Sequence, residues 1–277
     1  MMRAMSTTSP AASIVLVHGL WMTPLSWEHW IERFEAAGHH VRAPAWPGFD
    51  RDIDEVRRDT SPYDGLGLTE ITDHYDAIIR GLDAPPIVMG HSFGGLVTQI
   101  LLDRGLGAAG VAIDPAQPKG ILALPLSTAR IVSPVLSNPA NKGKSKALTA
   151  KQFHYAFGNT LSEQESNAVY ERYAVPGPGR PLFQAGLANL NPKAASKVNF
   201  KNSERAPLLI IGGGSDHVVP PRTSRTNFKL YHRSTAITEY KEFPGRSHYI
   251  VGQEGWEEVA DYALSWATSH AATYAAA

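Results

Sequence analysis

Short apolar runs alternate along the chain with longer segments in which apolar residues recur at helical spacing. Residues 13–17 (Ser-Ile-Val-Leu-Val) form one such run, which ends at His18-Gly19. An apolar run of this length is typical of a strand that is buried on both faces of a sheet. We predict five further strands, at residues 40–44, 86–90, 109–113, 208–211 and 236–243.

Segments with helical spacing lie between most of these strands. We predict helices at residues 27–37, 68–82, 96–105 and 256–266. The first of them has Ser26 as its expected N-cap and Gly38 just after its end. Strands that alternate with helices form βαβ units, so we expect an α/β fold: a mostly parallel central sheet with helices on both faces.

The alternation breaks once, from about residue 117 to residue 205, where no clear strand is visible. Helices are predicted there at residues 149–157 and 162–173. We therefore predict two parts, an α/β core made of residues 1–116 and 206–277, and an inserted, mainly helical cap at residues 117–205. The inserted part is called the insertion below.

Composition narrows the classes of function. The 277 residues carry 26 Lys+Arg and 26 Asp+Glu, and a formal net charge of zero disfavours non-specific binding to nucleic acid or to an anionic membrane surface. Cys is absent, which excludes disulfides, thiolate nucleophiles and Cys-based metal sites. No apolar stretch has the length of a membrane span, and residues 1–13 lack the apolar run of a signal peptide, so we expect a cytoplasmic protein.

The strongest local signal is Gly90-His91-Ser92-Phe93-Gly94-Gly95, which matches G-x-S-x-G between a predicted strand and a predicted helix. A nucleophile on so sharp a turn occupies a strained backbone, and larger side chains two positions either side of it would clash with the crossing strand and helix. The turn lifts Ser92 above the sheet and leaves the Phe93 N–H free to bind a developing oxyanion. We predict that Ser92 is a catalytic nucleophile.

A serine nucleophile requires a base and an acid that orients the base. The candidate base is His248, which lies between the last predicted strand and the last predicted helix, and the candidate acid is Asp216, just after the strand at 208–211. Asp114 follows the strand at 109–113 and is the rival acid. Asp216 is preferred because its Gly-rich turn can direct a short carboxylate inwards, whereas Pro115 constrains Asp114. These residues all follow strands at their carboxyl ends, the edge at which open α/β sheets bind ligands.

With this motif and with Ser92, Asp216 and His248 in this order, the chain resembles an α/β-hydrolase over nearly its whole length. The resemblance implies that the turn from His18 to Trp21 is the oxyanion loop. In it, the N–H of Leu20, or else that of Trp21, would be the second oxyanion donor beside Phe93. The sequence departs from the family at its start, where few residues precede the first strand and the usual leading antiparallel hairpin is expected to be absent or reduced.

Aromatic residues are frequent in the insertion and near the expected mouth of the site. Our candidates for substrate-binding residues are Trp21, His91, Phe153 and Phe157. Such a lining favours a small or medium apolar acyl or alcohol group. No group of metal ligands at a recognised spacing appears, so no metal is expected.

The expected function is that of a serine hydrolase, similar to carboxylesterases and lipases, which cleaves a small-molecule carboxylic ester or lactone through an acyl-enzyme and needs no cofactor. Ser92 attacks the carbonyl, His248 transfers the proton and Asp216 holds the imidazole. The same fold and triad also serve acyl transfer, C–C or cyanohydrin cleavage, perhydrolysis or haloperoxidation, and ligand reception without catalysis, so these alternatives stay open. We expect no nucleic-acid or membrane partner, and a homodimer stays open.

Overall fold

Six parallel strands form the main sheet of the computed structural model, which describes residues 11–275 of the chain. The elements of its first part are, in chain order, β1 (Ser13–Val17), α1 (Glu28–Ala36), β2 (His40–Arg42), α2 (Ile53–Arg58), α3 (Leu68–Arg80), β3 (Ile87–His91), α4 (Phe93–Asp103) and β4 (Ala109–Ile113). Strands β1, β3 and β4 are buried along nearly their whole length, which agrees with their continuous apolar sequences.

The insertion follows β4 and contains four α-helices and two very short strands. Its elements are α5 (Leu126–Leu136), β5 (Ser145–Lys146), α6 (Ala150–Ala156), α7 (Glu163–Tyr173), β6 (Gly177–Pro178) and α8 (Arg180–Gly186). Helices α6 and α7 each begin with a capping box, at Thr149 and at Ser162. Strands β5 and β6 pair antiparallel, and the sequence did not predict them because two residues per strand leave no hydrophobic pattern to detect.

The chain returns to the main sheet after the insertion. The remaining elements are β7 (Leu208–Gly213), α9 (Pro221–Leu230), β8 (Thr238–Phe243) and α10 (Trp256–Ala275). The strand order is β2-β1-β3-β4-β7-β8, all neighbouring pairs are parallel, and helices flank the sheet, so the predicted α/β fold is confirmed. Because the strands are parallel, their carboxyl ends meet at one edge of the sheet.

The start of the first helix differs from the prediction. A 3₁₀ turn at Pro24–Trp27 precedes α1, and the oxygen of Thr23 caps this turn by accepting the Leu25 N–H at 3.3 Å. Ser26 is therefore not the N-cap; its hydroxyl donates back to the Thr23 carbonyl at 2.8 Å. The cap lies further upstream because Pro24, with its fixed φ, starts the turn before Ser26 is reached.

Helix α10 is amphipathic and packs against the sheet. Val259, Ala260, Ala263 and Ala267 are fully buried on its inner face. None of the helices between residues 11 and 275 is both long enough and apolar enough to cross a membrane. Most of the segment 1–13, which was considered above for a signal peptide, lies outside the described residues.

An ion pair and a tyrosine hydroxyl connect the insertion to the core through Glu28. Glu28, at the start of α1, accepts hydrogen bonds from Arg172 Nε at 2.7 Å and from the Tyr173 hydroxyl, both at the end of α7. The hydrogen bond from Arg172 holds the pKa of Glu28 below its usual value. Since the charged form of Glu28 is the one that is stabilised, this contact contributes to stability above pH 4.5 and is lost as the pH falls through the lower pKa of the folded state.

We expect Glu28→Gln to lower the free energy of unfolding by about 1 kcal/mol at neutral pH, because the pair is half exposed and partly screened. The difference from the wild type should shrink as the pH falls below 4.5, where Glu28 becomes protonated. Urea unfolding at several pH values measures both effects. The control is Asp261→Asn, which breaks a solvent-exposed ion pair with Arg33 between two helices of the α/β core and so does not involve the insertion. A loss of stability in Glu28→Gln that stays the same at low pH contradicts this account.

Candidate active site

Ser92 lies on a strained turn between β3 and α4. Its backbone has φ 56° and ψ −119°, a conformation that is rare for any residue other than glycine. The flanking glycines have no room for a side chain: a Cβ on Gly90 would lie 2.1 Å from the Gly94 oxygen, and a Cβ on Gly94 would lie 2.0 Å from the Val17 oxygen. The turn is thus closed by direct contact between the backbones of β1, β3 and α4.

His248 and Asp216 form a hydrogen-bonded pair beside this turn. His248 Nδ1–H donates to Asp216 Oδ2 at 2.6 Å, and both side chains are completely buried. The other carboxylate oxygen, Oδ1, accepts the N–H groups of Val218 at 2.6 Å and Val219 at 2.9 Å. Asp216 is therefore held through both of its carboxylate oxygens. The hydrogen bond at Nδ1 fixes the tautomer in which His248 Nε2 is unprotonated. Nε2 is buried and has no hydrogen-bond partner within residues 11–275.

His91 connects the two parts of the site. Its ring lies 4.6 Å from that of His248, and its Nε2–H donates to the main-chain oxygen of His248 at 2.8 Å. Burial, and after it the neighbouring His248, lowers the pKa of His91 well below its usual value, so this imidazole is neutral. His91 therefore holds the His248 loop in place beside the turn that carries Ser92.

Asp114, the rival acid, is brought to the same place. It follows β4, is completely buried, and has a positive φ of 41°. Its Oδ1 accepts the Gly213 N–H at 2.6 Å, whereas Oδ2 is buried and without a hydrogen-bond partner in the part of the chain described. Of the two candidate acids, Asp216 is the one that binds His248 directly.

The loop after β1 is rigidly held by His18. The Nδ1–H of His18 donates to the Gly19 oxygen at 3.0 Å, and its Nε2 accepts the Trp46 N–H at 3.2 Å. Burial lowers the pKa of His18 to about 4, so the ring remains neutral and serves both bonds at once. Leu20 follows in this loop and is buried.

The insertion holds the far end of the same loop. Trp21 has a positive φ of 66°, its Nε1–H donates to the Lys146 oxygen at 3.0 Å, and its own oxygen accepts the Val175 N–H at 3.0 Å. At the turn between β3 and α4, the Ser92 side chain does not cap α4, and Phe93 is the first residue of that helix. The N–H of Phe93 accordingly belongs to the first turn, whose donors have no partner within the helix.

A cleft of about 370 Å³ opens above Ser92, between the core and the insertion. Its lining consists of Trp21, Ser92, Phe93, Ala116, Gln117, Ile121, Leu122, Ala123, Leu124, Thr128, Val132, Leu136, Leu182, Phe183, Ala185, Gly186, Leu187, Asn189, Val218 and Val219. This lining is mostly apolar and contains no charged side chain. Two of its polar side chains are occupied by the protein itself, since Thr128 donates to the Val218 oxygen and Asn189 donates to the Ile121 oxygen, each at 2.8 Å.

The lining differs from the one we predicted. Trp21 lines the cleft, but His91, Phe153 and Phe157 do not. The rings of Phe153 and Phe157 stack at 4.8 Å inside the insertion, and Phe157 presents an edge-to-face contact to His248 at 4.8 Å. These aromatic residues pack behind the site. The signal that would have identified the wall of the cleft is the aliphatic run at residues 121–126.

One group of possible metal ligands occurs among the described residues. His91, Asp114 and His248 each offer an atom within 4.8 Å of the others. Both histidines use one ring nitrogen in hydrogen bonds that hold the site together, to the His248 oxygen and to Asp216.

Comparisons with known proteins show a family and a fold. The model of the alpha/beta hydrolase family matches residues 14–262. A monoacylglycerol lipase of Paleococcus ferrophilus is 24% identical, with a TM-score of 0.65 over 93% of this chain and 94% of that chain. An extracellular alpha/beta-hydrolase of a Paenibacillus species is 20% identical, with a TM-score of 0.69 over 92% and 98%. Tomato methylketone synthase I in complex with 2-tridecanone is 15% identical, with a TM-score of 0.65 over 94% and 99%. At these identities the likeness concerns the fold.

The close contacts of Gly94, in the turn that carries Ser92, lead to a prediction about stability. We expect Gly94→Ala to lower the free energy of unfolding by about 3 kcal/mol or more, because the new methyl group would collide with the main-chain oxygens of Val17 and His18, which cannot move aside without opening the sheet. The matched control is Gly143→Ala, where a Cβ meets nothing within 4 Å. Chemical unfolding of both variants measures the difference, and equal stabilities would contradict the close packing described here.

Proposed function

The chain belongs to the alpha/beta hydrolase family, and from this premise we propose that it is a serine esterase, which cleaves a carboxylic ester or lactone with an uncharged, apolar acyl or alcohol group. The observation that carries the proposal is the hydrogen-bonded pair of His248 and Asp216 beside the strained turn of Ser92. In the proposed reaction Ser92 is the nucleophile, His248 the general base and acid, and Asp216 the residue that orients the imidazole.

The hydrogen bond from His248 to Asp216 suits His248 to the role of base. With its Nδ1–H donated to Asp216, the lone pair of Nε2 is available, and that atom has no competing partner in the described residues. Nε2 takes the Ser92 proton as the hydroxyl attacks the ester carbonyl, and then gives it to the departing alcohol. Water enters next, loses a proton to Nε2 and releases the acid from the acyl-enzyme. No cofactor takes part in this sequence.

The negative charge that develops on the carbonyl oxygen requires hydrogen-bond donors. We assign this role to the N–H of Phe93, at the start of α4, and to that of Leu20, in the loop after β1. Support comes from the rigidity of both segments: the Phe93 N–H lies in the first turn of a buried helix, and His18 and the insertion fix the two ends of the loop. Donors that are held before the reaction begins do not have to be reorganised during it.

The cleft suggests the class of substrate. Its apolar lining without charged groups favours an uncharged chain, and its volume of about 370 Å³ is within the usual range for small-molecule sites. Because α5 and α8 of the insertion supply much of this wall, we propose that the insertion is the cap that binds the apolar part of the substrate. Monoacylglycerol lipase, one of the proteins with a similar fold, is by its name an enzyme that acts on lipid esters.

The first test concerns the nucleophile and its base. We expect Ser92→Ala and His248→Ala each to lower kcat on a p-nitrophenyl ester by about 10⁴-fold or more, and the double variant to lose little beyond either single change, because the two residues act as one unit. Steady-state kinetics measures this, with Ser133→Ala on the exposed side of α5 as the matched control. Thermal unfolding should show that all variants stay folded.

Additive losses would contradict the shared role of Ser92 and His248. An activity of Ser92→Ala close to that of Ser133→Ala would eliminate Ser92 as the nucleophile. Either outcome, obtained with folded protein, would require a different mechanism in the same cleft.

The second test concerns the cleft. We expect kcat/KM for p-nitrophenyl esters to rise from acetate to octanoate, because each added methylene transfers apolar surface from water to the aliphatic wall. Ala185→Phe should lower kcat/KM for octanoate by about tenfold or more relative to acetate, since the new ring occupies space in the cleft. The control Ala168→Phe makes the same change on an exposed face of α7. Equal effects of the two variants on the octanoate-to-acetate ratio would place the acyl chain elsewhere.

A further inference from the structure

Asp114 is a buried carboxyl group that the proposed reaction does not use. It is completely buried, and its positive φ of 41° makes it one of three non-glycine residues with positive φ in the described chain, the others being Trp21 and Ser92. Backbone strain of this kind persists where surrounding structure enforces it, and it is concentrated at functional sites. Asp114 thus shares with Ser92 a backbone feature that ordinary packing does not require.

The hydrogen bonds of Asp216 leave one position open. An ionised carboxylate can accept about four hydrogen bonds, two at each oxygen. Oδ1 of Asp216 accepts the Val218 and Val219 N–H groups, and Oδ2 accepts Nδ1–H of His248. The second position at Oδ2 has no donor among the N–H and O–H groups of the described residues.

Asp114 lies beside that open position. An atom of Asp114 lies within 4.8 Å of a ring nitrogen of His248, whose Nδ1 is bound to Asp216 Oδ2 at 2.6 Å, and the Asp216 carboxylate is among the groups that act on Asp114. Oδ1 of Asp114 accepts the Gly213 N–H, but Oδ2 is a buried oxygen with no partner as long as both carboxyl groups are ionised. One proton on Asp114 gives Oδ2 a partner and supplies the donor that Asp216 lacks.

We propose that Asp114 is a positioning residue that stays protonated during the reaction and donates a hydrogen bond from its Oδ2–H to the carboxylate of Asp216. The role rests on the proposed triad, in which Asp216 orients His248. The bond completes the set of four donors around Asp216 and so adds to the hydrogen bonds that orient the carboxylate towards the imidazole. It also leaves one negative charge, not two, behind His248.

The surroundings of Asp114 favour its neutral form. Burial comes first, and the Asp216 carboxylate second, among the causes that raise the pKa of Asp114 well above its usual value. Two other titratable groups lie beside this carboxyl: His91, which is neutral, and His248. Glu242 also acts on it, and the charge of Glu242 is paired with that of Arg225 at 2.8 Å. None of these groups supplies a positive charge that would favour an ionised Asp114 while His248 is neutral.

This role distinguishes two substitutions that a purely structural role would not. Asp114→Asn keeps an acceptor for the Gly213 N–H and a donor for Asp216, it is neutral like the protonated acid, and it tolerates a positive φ. Asp114→Ala removes this donor, so less of the negative charge of Asp216 is neutralised by hydrogen bonds and more of it acts on His248. The imidazolium of His248 is then stabilised, and its titration moves to higher pH.

The experiment is an NMR titration of the His248 imidazole, assigned by the loss of its signal in His248→Ala, together with kcat and thermal unfolding. We expect Asp114→Asn to keep the titration midpoint and to keep kcat within about tenfold, whereas Asp216→Asn loses about 10²-fold or more. We expect Asp114→Ala to raise the midpoint by about half a pH unit, since one hydrogen bond is lost, and to lower kcat at least about tenfold relative to Asp114→Asn.

Two outcomes overturn the proposal. A midpoint that falls in Asp114→Asn means that a negative charge was removed, so Asp114 is ionised in the native protein. Unchanged midpoints in both variants, with a loss of stability in Asp114→Ala, mean that Asp114 only fills space. If Asp114→Ala does not fold, the titration of Asp114→Asn alone still decides between a neutral and an ionised Asp114. The titration needs no substrate, so a failure of the proposed esterase function is seen separately, in kinetics of the wild type.

Discussion

The site depends on one close contact, between the first turn of α4 and the end of β1. The absence of side chains at Gly90 and Gly94 lets the helix approach the sheet until main-chain atoms touch, and this approach forces Ser92 into its strained conformation. The same contact sets the depth at which α4 begins and therefore where the N–H of Phe93 lies relative to the loop after β1. A larger residue at either glycine would separate Ser92 and Phe93 from the loop that carries Leu20, the other proposed oxyanion donor.

The second constraint is the burial of charge behind the imidazole. Asp216 and His248 are completely buried, so each needs partners that replace the water lost on folding. The N–H groups of Val218 and Val219 and the imidazole of His248 are the partners of Asp216, and His91 binds the main-chain oxygen of His248. We propose that Asp114 supplies one further donor, so that four different strand ends contribute to the cluster. In the proposed state, a single negative charge is distributed over several hydrogen bonds. The rigidity of the cluster is what the proposed proton transfer requires.

The sequence predicted the fold well because inner strands of a parallel sheet are written as continuous apolar runs, as in β1, β4 and β7. The residues around Ser92 and the bond between Asp216 and His248 also follow from local motifs and strand ends. The position of Asp114, which binds Gly213 at the end of β7, does not, because it arises only once β4 and β7, separated by the whole insertion, become neighbours. The wall of the cleft also depends on how the insertion folds over the core. The prediction named aromatic residues such as Phe153, whereas the aliphatic residues around Leu122 line the cleft.

The central claim, that the strained turn presents Ser92 as an activated nucleophile, is tested most directly by reaction of the native protein with a fluorophosphonate, followed by mass spectrometry of its peptides. The account predicts one label per chain, attached to Ser92, and much slower labelling when the protein is unfolded, because activation requires the folded arrangement of Ser92, His248 and Asp216. A native protein that stays unlabelled, or one that carries the label on a different residue such as Ser215 or Ser247, would contradict it.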